Sequence, residues 1–319
     1  MRLLLTLVLA SAASVGVSTL APASSAPSVT GATPRPAAYL QPEPVTLVAE
    51  PVRAYPARDA NQGVGVDREH VYAVNNRSLT KIDRESGELL RQFTGDAQGE
   101  IQHMDSAVVV EGHLLYAAHS NWPEWPMESS VEVFDTRTMQ HVDTHSFGID
   151  RGSLTWLDRH DGYWWAGFAN YDRVQRGMSR PYGETQNTQV VKLDDDFQVL
   201  EGYTIPMEIL DRFRPMSNSG GSWGPDGNLW LTGHDLPEAY VMALPKAGSD
   251  LEWLATVELP GIEGQGIAWD RSGANKRDPH LFGIDRPTRS VKEFDVPFED
   301  VPEPRAARWT VRSGEEITG

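Results

Sequence analysis

The sequence predicts an all-β protein, a single β-propeller of five four-stranded blades closed by an N-terminal strand. Three observations carry that prediction. One unit recurs about five times at a spacing of roughly 45 residues, the period of propeller blades. A strand-like segment without a partner of its own precedes the first recurrence. The chain of 319 residues has no cysteine but ten Trp and nine Tyr, so its stability must come from packing large aromatic side chains.

The first element is a leader. Met1–Leu20 carries Arg2 and then an apolar run, Leu3 to Ala10, followed by small residues. That order fits a cleaved signal peptide over residues 1–25, and the run is too short to span a bilayer, which takes roughly 20 apolar residues. The expected product is a soluble secreted protein, extracellular or periplasmic. Residues 26–44 are rich in Ala, Pro, Ser and Thr and carry little charge, which predicts a disordered leader. A net charge of −17 argues against nucleic-acid or anionic-membrane partners, both of which need stripes of Lys and Arg.

The propeller is expected over residues 45–300. Asn61–Asp67, Asp105–Glu111, Gly152–Asp158, Asn218–Gly224 and Gly264–Asp270 read as the first strand of each blade. The second strands are Val71–Val74, Leu115–Ala118, Trp164–Gly167, Leu229–Thr232 and Leu281–Ile284. Hairpin turns such as Gly224-Pro225-Asp226-Gly227-Asn228 separate first from second strands. Third strands begin at Leu79, Val131 and Gln189, and fourth strands include Leu89–Phe93 and Leu254–Leu259. Insertions around residues 172–188 and 206–217 lengthen the step from the third repeat to the fourth. Val45–Tyr55 reads as a fourth strand that pairs with the last blade and removes its open edge. The alternative is a sixth blade assembled from irregular pieces. Residues 301–319 form a charged C-terminal tail.

In a propeller, the loops before each first strand and after each second strand converge at one end of the axis. Here those positions are polar, which makes that end the candidate site. His119 and His234 each end a second strand and precede a Pro-Glu, and they are read as imidazoles able to move protons near neutral pH. Strand capping is the competing reading of both. His103 and Tyr171 are the further proton-transfer candidates. Arg286 offers a bidentate fork for a substrate carboxylate. Gln62, Asn121, Asn170, Asn218, Gln265 and Trp122 complete the expected substrate-binding set, with Trp122 in a position to stack on a sugar ring. The three histidines together form a weak case for a metal, and Asp or Asn oxygens near the axis a similar one for structural calcium. No cofactor is otherwise expected. The loop from Arg173 to Glu184 reads equally well as a lid or as a disordered insertion. The Gly-rich first strands are not phosphate loops, because no helix follows them.

Several segments together carry a resemblance: Gln62–Asp67, His119-Ser120-Asn121-Trp122-Pro123 through Asp135, His145–Gly148 with Ser153–Trp156, and Gly224–Gly227 through Asp235. Over residues 45–298 the chain resembles exported bacterial β-propeller proteins of the cycloisomerase-like type, and its architecture is also similar to propeller polysaccharide lyases. The resemblance implies a propeller that abstracts a proton beside a carboxylate, by lactone formation or uronate β-elimination. His119 is the expected base, Tyr171 or His103 the acid, and Arg286 the partner of the carboxylate. A non-catalytic propeller that binds a glycan or peptide on the same face is the second reading, and an interaction scaffold using the blade sides the third; the protein is expected to be a monomer that takes a small-molecule or saccharide ligand.

Overall fold

The computed structural model describes residues 44–304 apart from 111–112, 175–176, 182 and 273–278. The expected signal peptide, most of the leader and residues 305–319 of the tail lie outside the described residues. Two short strands come first, β1 (Val45–Val48) and β2 (Glu50–Pro56). The first blade is β3 (Gly63–Val66), β4 (His70–Asn75), β5 (Ser78–Asp83) and β6 (Leu89–Thr94). The second is β7 (His103–Val110), β8 (Leu114–Ser120), β9 (Ser129–Asp135) and β10 (Gln140–Gly148). The third is β11 (Ser153–His160), β12 (Tyr163–Ala169), β13 (Gln189–Leu193) and β14 (Val199–Thr204), followed by a short helix α1 (Met207–Phe213). The fourth is β15 (Gly220–Trp223), β16 (Leu229–Thr232), β17 (Glu238–Ala243) and β18 (Glu252–Glu258). The fifth takes β19 (Ala268–Trp269), β20 (Leu281–Asp285) and β21 (Ser290–Asp295) from the C-terminal part of the chain. Its outer strand is β2, antiparallel to β21.

The N-terminal segment therefore closes the ring, but it is two strands and not one. Val45–Val48 adds in parallel to the outer edge of β18 in the fourth blade. The chain then crosses at buried Ala49 and completes the fifth blade. One segment of the chain thus clasps two adjacent blades.

Alternation of side chains explains the ring. In β4, Val71 and Ala73 pack toward the fifth blade, while Tyr72 and Val74 pack toward the second. In β16, Leu229 and Leu231 face the third blade and Trp230 faces the fifth. Trp164 and Trp165 divide between two interfaces in the same way. A sheet buried on both faces needs apolar residues at consecutive positions, which is why the second strands read as unbroken apolar runs. Each of the five buried clusters lies between neighbouring blades. The helix occupies the second insertion because Ile209, Leu210 and Phe213 recur at helical spacing and bury against the third–fourth interface.

The innermost strands approach so closely that side chains are excluded. A Cβ on Gly63 would lie 2.5 Å from the Asp105 carbonyl oxygen and 3.0 Å from the Gly266 Cα. The Gly266 N–H donates to the Gln62 carbonyl across the ring at 2.9 Å. The glycines of the first strands are thus explained by crowding at the axis.

Candidate functional site

Each blade delivers side chains to the end of the axis where the first strands begin. From the first blade, Gln62 donates its Nε2 proton to Asn76 Oδ1 at 2.6 Å. From the fifth, the Arg286 Nε–H donates to the Asn61 carbonyl at 2.7 Å. Its two terminal nitrogens make only long contacts, 3.4 Å to Gln62 Oε1 and 3.4 Å to His234 Nε2. Among the described residues, no carboxylate lies within ion-pair distance of Arg286. Burial lowers its pKa, against the pull of Glu263, Asp105 and Asp235.

From the fourth blade, the His234 Nδ1 lies 2.5 Å from Asp235 Oδ1. The carboxylate accepts the Nδ1 proton, which leaves Nε2 with a lone pair directed at Arg286. From the third blade, buried Tyr171 packs its ring 4.4 Å from that of Trp122. Burial first, and then the charge of Asp105, raise the pKa of the phenol, so it keeps its proton.

The second blade contributes His103 and Asp105. His103 Nε2 lies 3.4 Å from Asp105 Oδ1. Asp105 is only 4 % exposed, and its Oδ2 has no hydrogen-bond partner. A β-bulge puts it there. Met104 and Ala107 both pack into the interface with the first blade, a spacing of three that plain alternation forbids, and the pairing of β7 with β8 shifts between them. The extra residue re-aims Asp105 toward the axis, where its charge acts on both Tyr171 and Arg286.

Gln62, His103, Tyr171, His234 and Arg286 are brought together with Gln265 in this bowl. Gln265 is 1 % exposed and adopts a left-handed φ of 72°. Its Nε2 donates to the His234 carbonyl at 3.2 Å, and its own carbonyl accepts from Thr232 at 2.5 Å. Three expected ligand contacts are instead occupied by the protein. Asn218 accepts from the Trp156 indole at 2.6 Å and donates to the Gly220 and Thr232 carbonyls, both at 2.9 Å. Asn170 donates to the Arg151 and Asn187 carbonyls at 3.0 and 3.1 Å. Asn121 ties its own loop through Pro126 and Glu128. Trp122 stands at the rim, with the Arg173 guanidinium 5.6 Å from its ring centre.

His119 is not at the axis. It faces the cleft between the first and second blades, because in β8 it shares a face with Leu115 and Ala117, while Ser120 turns to the third blade. The Gln102 N–H donates to its Nε2 at 2.9 Å, so the ring proton sits on Nδ1 and is given to Ser130 Oγ at 2.8 Å. Ser130 donates to Glu132 at 2.6 Å, and Glu132 also holds His141 and Thr144, each at 2.7 Å. Burial lowers the His119 pKa. With both nitrogens engaged, it has no lone pair to offer a substrate. This chain lines a separate cleft of about 900 Å³ with an acidic rim.

Among the described residues, no group of three or more His, Asp or Glu is placed to hold a metal ion, the three histidines included. The sequence places Asp105 and Asp235 on this polar face as well, without giving either a role. Asp105 had a signal: a carboxylate opening a strand that continues Ala107-Val108-Val109-Val110. The loop over the third blade is held by Thr185 N–H donating to Asp172 at 2.9 Å and by an Arg214–Asp172 ion pair.

No family model and no curated protein matches the chain. Solved structures with a related backbone include the PQQ-bound aldose sugar dehydrogenase from Streptomyces coelicolor, at a TM-score of 0.46 and 13 % identity over 78 % of this chain and 98 % of that one. Others are the hydrazine synthase of Kuenenia stuttgartiensis, at 0.41 and 12 % over 72 % and 70 %, and virginiamycin B lyase from Staphylococcus aureus, at 0.40 and 10 % over 78 % and 74 %. Likeness at these values carries nothing about chemistry. The five-bladed ring rests on the strand pairings of this chain itself.

Proposed function

We propose that the chain is an exported propeller enzyme that abstracts a proton beside the carboxylate of a saccharide-type substrate, in the manner of a lyase or cycloisomerase. The observation that carries this reading is the pairing of Arg286 with His234. Arg286 is a partly desolvated cation with only long contacts at its terminal nitrogens, beside an imidazole whose tautomer Asp235 sets. A substrate carboxylate is a better acceptor than either Gln62 or His234, so it takes the Arg286 fork and releases the His234 lone pair.

In the β-elimination form, His234 Nε2 removes the proton on the carbon bearing the carboxylate. The electrons of that C–H bond become the new double bond, and the bond from the neighbouring carbon to its oxygen breaks. The departing oxygen takes the Tyr171 proton, which the raised pKa keeps in place until then. Arg286 neutralises the negative charge that builds on the carboxylate. In this scheme His234 replaces His119 as the base.

The test is incubation with polygalacturonate and alginate while following the ultraviolet absorbance of a new unsaturated uronate. His234→Ala is expected to lower turnover by about 10²–10⁴-fold, whereas His119→Ala leaves it within a few-fold. Equal losses in both variants would overturn the assignment. The non-catalytic glycan- or peptide-binding reading is favoured by Trp122, which stands at the rim with its ring tilted against Tyr171. Binding of an acidic glycan without any product would establish it.

A further inference from the structure

The elimination scheme makes no use of Asp105. Its side chain is 94 % buried, one oxygen is shared at 3.4 Å with His103, and the other has no partner. A buried carboxylate oxygen left without a donor is costly, so it marks a position where a donor from outside the chain belongs. What surrounds it restricts that donor. Arg286 is a cation across the bowl and disfavours a second cation, and no ligand set for a metal is present among the described residues. A hydroxyl suits the place better. It gives its one hydrogen to Oδ2, and its oxygen can then accept from the His103 Nε2–H or the Tyr171 phenol.

We propose that Asp105 is the hydroxyl-reading residue of the axial bowl, so that the ligand is a hydroxylated carboxylate of the uronate type, gripped by Arg286 at its acid group and by Asp105 at a ring hydroxyl. This rests on the carboxylate reading of Arg286 given above. Specificity of this kind is strong, because an analogue without the hydroxyl leaves the Asp105 oxygen buried and unpaired.

Calorimetric titration of the full chain with four probes tests it: D-glucuronate, D-glucose, cyclohexanecarboxylate and D-glucosamine. The wild type is expected to bind glucuronate at least about tenfold more tightly than each of the others. Asp105→Asn, which keeps the shape, is expected to weaken glucuronate by about 10- to 100-fold and leave cyclohexanecarboxylate unchanged. Asp105→Ser is the second variant should the amide disturb folding. Unchanged glucuronate affinity in both variants overturns the assignment, and so does a wild-type preference for glucosamine. Arg286→Ala separates the two ideas. If that variant binds glucuronate as the wild type does, the carboxylate reading fails, whatever Asp105 does.

Discussion

The two ends of the propeller axis treat buried charge in opposite ways. At the end where the first strands finish, buried carboxylates have ionic partners. Arg84 donates to Asp270 at 2.5 Å and to Glu293 at 3.2 Å. Glu293 also accepts from Tyr55 at 2.6 Å and contacts His280 at 2.7 Å. Arg271 pairs with Asp158, which takes the Trp223 N–H at 2.7 Å as well. Burial alone would raise the pKa of Glu293, yet the bonds from Tyr55 and His280 and the charge of Arg84 hold it below the usual range. At the opposite end, among the described residues, Asp105 Oδ2 has no donor and no carboxylate pairs with Arg286, and Gln265 holds a left-handed backbone. The paired end ties the first, third, fourth and fifth blades together. The open end leaves Asp105 Oδ2 and the terminal nitrogens of Arg286 without strong partners.

The largest test of this contrast is Arg84→Ala, which removes the cation shared by buried Asp270 and Glu293. It is expected to cost about 3–5 kcal/mol, measured as a lower midpoint in urea unfolding. Gly63→Ala acts at the pinch between the ends, where the new methyl meets the Asp105 carbonyl and Gly266, and about 1–3 kcal/mol should be lost by the same measurement. Arg286→Ala changes the open end and should move stability by no more than about 1 kcal/mol, while abolishing measurable binding of glucuronate. A stability loss there as large as that of Arg84→Ala would erase the distinction. The smallest effect is in pH. Burial lowers the folded-state pKa of His119 from 6.5, so the unfolded chain takes up its proton first as pH falls. That contribution is fully present above the ordinary histidine value and shrinks below it. Replacing His119 with Gln should flatten the fall in melting temperature between about pH 6.5 and 5, with little change at pH 8.

The blade pattern was legible because it is local. Val71-Tyr72-Ala73-Val74 and Leu229-Trp230-Leu231 announce strands buried on both faces, and Gly63, Gly220 and Gly266 announce an axis without room for side chains. Arg286, His234, Tyr171 and His103 were drawn to the same end because loop position in a repeat follows from strand order. Asn218 and Asn170 misled for a physical reason: an amide surrounded by loop carbonyls is consumed by the backbone, and composition cannot reveal that. The break at Ala49 was hidden as well, since both halves of Val45–Tyr55 have the same strand chemistry.

The amino-acid order by itself determined the repeating unit, the buried second strands and the use of the N-terminus to close the ring, because each follows from short-range periodicity and from counting strands. Only the tertiary structure decided which side of a strand each polar group takes. One extra residue in β7 turned Asp105 to the axis, and the face of β8 that packs on the first blade carried His119 into a cleft. Side chains alternate at every step, so a single bulge or a neighbouring blade is enough to reverse what a residue meets, and neither is visible until the sheets are assembled.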